Sequence, residues 1–100
     1  MRKIYFGDFR QYVLEHMKEI QKEDIESYTT EWFLIRYLKK ITKITADGNL
    51  EYTRVEGSMR SLVRFYVDNV EEKSELGDRC KKIYNEYRAL LRKKQSSKYS

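Results

Sequence analysis

Proline is absent from the 100 residues and glycine occurs only four times. Folds rich in tight turns draw their chain reversals from these two residues, so a chain this poor in them is steered toward long helices joined by short connections. The spacing of apolar residues agrees. Phe9, Val13, Met17 and Ile20 recur at four, four and three, one buried stripe on a helix from about Asp8 to Lys22. Asp8 is placed to cap that helix and Gly7 to let the chain bend into it. A second stripe runs through Ile25, Tyr28, Trp32, Ile35, Leu38 and Ile41. The capping types Asp24, Ser27, Thr29 and Thr30 allow this region to be one helix or a short helix, Asp24 to Tyr28, followed by a longer one.

The next stretch changes character. Ile41-Thr42-Lys43-Ile44-Thr45-Ala46 is rich in β-branched residues, and beyond Asp47-Gly48-Asn49 the run Leu50 to Val55 alternates apolar and polar. An Asp-Gly pair between two such runs signals a hairpin, because glycine reaches the positive φ that the tight turn requires. A β-hairpin near 42–55 is therefore expected. Ser58 then caps a helix carrying Met59, Leu62, Val63, Tyr66, Val67 and Val70. The last helix, about Glu75 to Lys93, has the seam Leu76, Cys80, Ile83, Tyr87 and Leu90. The fold class is mainly α, with four or five helices and one short hairpin.

Residues 1–94 read as one domain and 95–100 as a polar tail. Hydrophobic residues make up 40% and fourteen residues are aromatic, enough to offset the entropy of ordering a single core. No apolar run approaches the roughly 18 residues that span a bilayer, and the first residues lack the apolar stretch of a signal peptide. The single cysteine, Cys80, fits a reducing compartment, so a cytoplasmic location is expected.

The order helix, helix, helix, hairpin resembles a winged helix over about residues 8–55, an architecture suited to DNA because a helix fits the major groove while the wing lies along the backbone. The third helix would carry Arg36, Lys39 and Lys40, with Lys43 just beyond it. Trp32, Phe33, Leu34, Ile35, Tyr37 and Leu38 crowd that helix with apolar groups, and the wing offers only Lys43 and Arg54 as cations. These two facts favour a plain helical domain with an incidental hairpin.

Charge points to partners. The net charge is +5, concentrated in the run Arg36, Lys39, Lys40, Lys43 and in Arg79 to Lys98, where eight cations face the single acid Glu86. Clustered cations attract phosphate or acidic protein surfaces. Nucleic acid, DNA ahead of RNA, is the leading expected partner, contacted through Arg36, Lys39, Lys40, Lys43, Arg54, Lys81, Arg88 and Arg92; the protein would be a regulator or accessory factor. The alternative is a protein-binding module, an adaptor, inhibitor or assembly subunit, with an aromatic surface and a basic rim. The last helix's seam could also close a homodimer. Of the nine tyrosines, Tyr28, Tyr66 and Tyr87 fall on core stripes, whereas Tyr12, Tyr37, Tyr52 and Tyr84 are off-stripe and free to make contacts.

Catalytic chemistry finds little footing. There is no glycine-rich phosphate loop and no serine-histidine-acid set, and the one histidine cannot both activate Cys80 and anchor a metal with Glu19. No enzyme activity, no cofactor, no metal and no membrane partner are expected.

Overall fold

The computed structural model describes residues 3–22 and 24–98, with side chains up to position 92. Its elements are β1 (Lys3–Tyr5), α1 (Gly7–Ile20), α2 (Thr30–Ile44), a 3-10 turn (Thr45–Asp47), β2 (Asn49–Glu51), α3 (Tyr52–Asn69) and α4 (Glu75–Lys98). The fold is mainly helical with one short two-stranded antiparallel sheet, the class read from the sequence. Each helix packs against the next and α4 returns to α1, closing a ring around a core of Phe6, Val13, Leu34, Leu38, Ile41, Val55, Met59, Leu62 and Ile83. No described helix is long and apolar enough to cross a membrane.

The strands are not the expected ones. β2 pairs with β1, more than forty residues away in sequence, in the register Lys3 with Glu51, Ile4 with Leu50 and Tyr5 with Asn49. No hairpin forms over 42–55. The segment Ile41–Ile44 stays helical because Ile41, Thr42 and Thr45 continue the buried face begun by Leu34, Ile35 and Leu38. Burial on a helical period outweighs the modest helix aversion of β-branched residues. The buried Thr45 hydroxyl donates to the Ile41 carbonyl at 2.8 Å, and Arg10 reaches from α1 to donate to the Thr42 carbonyl at 3.0 Å, so the last turn of α2 has its acceptors satisfied. Gly48 does take the expected positive φ, +83°, but it turns the chain from the 3-10 segment into β2.

The wing is thereby absent among the described residues. Tyr52 to Val55 belong to α3, which starts six residues before Ser58; Val55 is its first core position, followed by Ser58, Met59 and Leu62 at helical spacing. Ser58 lies buried within the helix and caps nothing. Val67, expected on the core stripe, is 65% exposed.

Three smaller corrections concern helix ends. Asp8 sits inside the first turn of α1, where its charge suits the helix N-terminus; Phe6 occupies the cap position. Residues 24–29 are turn and irregular backbone, so 24–44 holds one helix, started by Thr29, whose hydroxyl accepts from the Trp32 amide at 3.3 Å. The last helix runs to Lys98, and the proposed polar tail begins as its final turn.

The seam of α4 is consumed inside the chain. Cys80, Ile83 and Tyr87 are buried, with the Tyr87 ring 5.8 Å from that of Phe9 on α1. The centre of the stripe is thus covered by α1 and α3, and its ends, Leu76 and Leu90, are half-buried.

Candidate nucleic-acid interface

The buried face of α2 determines what its other face must be. At about 100° per residue, Leu34, Ile35, Leu38, Ile41 and Thr42 fill the inward arc, and Trp32, Phe33, Arg36, Lys39, Lys40 and Lys43 fall in an opposite arc of roughly 120°. The apolar crowding noted in the sequence therefore separates cleanly. Its inner half makes core, while Trp32 and Phe33 share the outer face with all four cations. Arg36, Lys39, Lys40 and Lys43 are each exposed. Ion pairs among the described residues involve Lys22, Arg60, Arg79, Lys81 and Lys82 and none of these four. Glu31, the acid in the first turn of α2, lies off the outer arc.

An aromatic cluster caps this basic stripe at its N-terminal end. The ring of Tyr28 lies 4.8 Å from Trp32 and 6.3 Å from Phe33, and Trp32 meets Phe33 edge-on at 4.9 Å. The Arg36 guanidinium sits over the Trp32 ring at 4.9 Å, a cation–π arrangement that fixes its position while leaving its donors free. Tyr28 is 77% exposed and Phe33 39%. Tyr28 thus leaves the core to which its spacing assigned it, because the backbone there is turn, with φ of +67°, and helical periodicity no longer applies.

The basic surface continues onto α3. Tyr37 and Phe65 stack across the α2–α3 seam at 5.0 Å, and beside them a groove is lined by Arg60, Ser61, Arg64 and Asn69 together with one acid, Asp68. Arg60 and Arg64 stand one turn apart on an outer ridge of α3. On the far side of that ridge a second groove is lined by Arg60, Arg64, Tyr84 and Arg88, with the acids Glu56 and Asp68 among them. Arg60 pairs with Glu56 at 3.4 Å. Neither α3 arginine was singled out in the sequence, though their spacing of four, opposite the Met59–Leu62 stripe, was a readable signal.

The remaining sequence candidates divide. Arg88 joins the surface and lies 5.8 Å over the Tyr84 ring. Arg92 is exposed further along α4, and Arg54 is exposed in the first turn of α3. Lys81 is turned elsewhere, pairing with Glu72 at 3.4 Å. Among the off-stripe tyrosines Tyr52 is exposed, while Tyr12, Tyr37 and Tyr84 are half-buried. His16 meets the Arg79 guanidinium at 3.3 Å through Nδ1, and the same guanidinium lies 4.0 Å from the Glu19 carboxylate, so a cation already stands between the two side chains. Burial, reinforced by Arg79 and Lys82, pushes the His16 pKa down from 6.5. Cys80 is buried and its thiol is pushed up to about 11 by desolvation, the opposite of an activated nucleophile.

Comparison with known proteins gives no match to a family model, to a curated protein or to a solved structure. Function is therefore read from surface chemistry alone.

Proposed function

We propose that this chain is a small, non-catalytic nucleic-acid-binding protein, an accessory or regulatory factor of the cytoplasm. The observation that carries the reading is the outer face of α2, where Arg36, Lys39, Lys40 and Lys43 stand exposed and without carboxylate partners among the described residues. A cation left unpaired within its own protein keeps its full attraction for phosphate, and a row of them follows a polyanion. Arg64 and Arg88 extend the surface. With no wing among the described residues, the wing gives no ground for preferring DNA to RNA.

The test is the salt dependence of binding to oligonucleotides. Four phosphate contacts give a log–log slope of about −3.6 on duplex and about −2.8 on a single strand. Changing Lys39, Lys40 and Lys43 together to glutamate removes three of the four, leaving a slope of about −1 and weaker binding at every sequence alike. Changing Arg88 and Arg92 to glutamate tests the α4 side, and should have the smaller effect. No binding at low salt, where electrostatic attraction is strongest, refutes the reading.

A second reading has its own observation. Exposed Tyr28 and Phe33 beside Trp32 are the residue types that anchor protein interfaces. A partner protein with an acidic rim would use the same face, and its binding would persist at salt concentrations that abolish oligonucleotide binding.

A further inference from the structure

Resting on the nucleic-acid reading above, we infer that the outer face of α2 takes a single-stranded polynucleotide, its bases stacked on the exposed rings of Tyr28 and Phe33 beside Trp32 and its phosphates along Arg36, Lys39, Lys40 and Lys43. Three observations converge. Trp32, Phe33 and the cations occupy one face of one helix, and Tyr28 lies against the two rings from the turn just before it, so an extended strand meets rings and cations in a single pass. From Trp32 to Lys43 that face is about 16 Å long at ~1.5 Å per residue, room for a few nucleotides. Duplex DNA buries the faces of its bases in its own stack and offers the rings nothing, whereas an unpaired strand presents a π-face at every nucleotide.

Tyr28 supplies the second observation. Its φ of +67° lies in the left-handed region, where a bulky residue is strained, and its ring is 77% exposed. Neither backbone preference nor burial accounts for a tyrosine at this position. It completes the Tyr28–Trp32–Phe33 ring cluster, and strained residues held outward in this manner mark ligand contacts. The third observation is what the face lacks. It carries no asparagine or glutamine to read adenine, and its one hydroxyl is the Tyr28 phenol, on a ring used for stacking. Recognition here is by stacking and charge, which every base and phosphate supplies whatever the sequence.

Trp32 is the sole tryptophan, so its fluorescence reports the site directly. The protein is titrated at low salt with oligo-dT, oligo-U and a mixed-sequence duplex, each of about 12 nucleotides or base pairs. Both single strands should quench Trp32 saturably and with equal affinity, and the duplex should bind roughly tenfold more weakly or worse. Tyr28→Asn removes one ring while suiting the left-handed backbone better than tyrosine, and Phe33→Leu removes another while keeping apolar volume. Each should weaken single-strand binding by roughly 5- to 150-fold and leave duplex binding unchanged. Should either variant lose its helical circular dichroism, the unmodified protein's quench decides alone. Equal binding of duplex and single strands without quenching overturns this inference and leaves the phosphate reading standing. Quenching of the same size by poly-glutamate, which has charge but no bases, also overturns it. Absence of binding to every oligonucleotide overturns both.

Discussion

Gly57 and Gly77 lie inside helices, and one substitution should act on them with opposite sign. Replacing a helical glycine with alanine gains about 0.5–1 kcal/mol from reduced backbone freedom in the unfolded chain, provided the methyl group has space. At Gly57, exposed in α3, an added Cβ meets nothing within 4 Å. Gly57→Ala should therefore raise the melting temperature by about 2–8 °C in a chain of this size. Gly77 is buried at the start of α4, and its amide donates to the Ser74 hydroxyl at 3.0 Å. A Cβ there would drive into the Glu71 carbonyl oxygen and stand 3.1 Å from that of Glu72. These are backbone atoms of the tight turn before α4, held by the Ser74 hydroxyl donating to the Glu71 carbonyl at 2.6 Å, so the turn cannot withdraw without breaking its own bond. Overpacking of this kind costs about 1–3 kcal/mol. Set against the propensity gain, Gly77→Ala should lose up to about 2.5 kcal/mol net and melt up to about 20 °C lower. Thermal unfolding followed by far-UV circular dichroism measures both. A Gly77→Ala protein at least as stable as the unmodified one would refute the packing of that turn against α4, and a destabilised Gly57→Ala would refute the open surface at α3.

Tyr87, 2% exposed, donates its hydroxyl to the Glu56 carboxylate, and burial together with that carboxylate pushes the phenol pKa up. Tyr87→Phe should cost about 1–2 kcal/mol in urea denaturation, near the low end for a charge-assisted bond because Glu56 keeps Arg60 and some solvent; no loss would mean the bond is not made. Cys80, with its thiol near 11, has about one thousandth of its population as thiolate at pH 8, so labelling by a neutral thiol reagent should follow unfolding and accelerate in denaturant. Rapid labelling of the native protein would show that the α4 seam opens. His16 binds its proton less readily when folded, its pKa lying below 6.5, so the unfolded chain takes up the proton first as pH falls. Its contribution is intact above about pH 6.5 and is lost as pH drops through the folded value, so the urea midpoint should fall between about pH 7.5 and about pH 5, less steeply in His16→Gln. An identical fall in that variant would assign the effect to other groups.

The helices were legible in the sequence because their signal is local. Phe9, Val13 and Met17, or Cys80, Ile83 and Tyr87, fall on one side of a helix by spacing alone, and each set is buried as read. The cations of α2 were legible by type and position for the same reason. What spacing could not supply was the state of 41–55. There the local signals, β-branched residues, Asp-Gly and alternation, all favoured a hairpin, and they lost to burial of Ile41, Thr45, Leu50 and Val55 against partners distant in the chain. Nor could it place Tyr28, whose periodic position means nothing once the backbone leaves the helix.

The amino-acid sequence by itself determined the class of the fold, the inward faces of α1 and α4, the α2 core positions Ile35, Leu38 and Ile41 though not the outward place of Trp32, the positive φ at Gly48 and the existence of a basic stripe on α2. Tertiary structure decided that the sheet joins β1 to β2, that α3 starts at Tyr52, and that Arg60 and Arg64 fall between the cations of α2 and Arg88 to extend one surface. The division has a single physical origin. Side-chain period and backbone preference act between residues a few positions apart, whereas strand pairing and the meeting of helix faces are settled by which apolar surfaces, far apart in sequence, bury each other best.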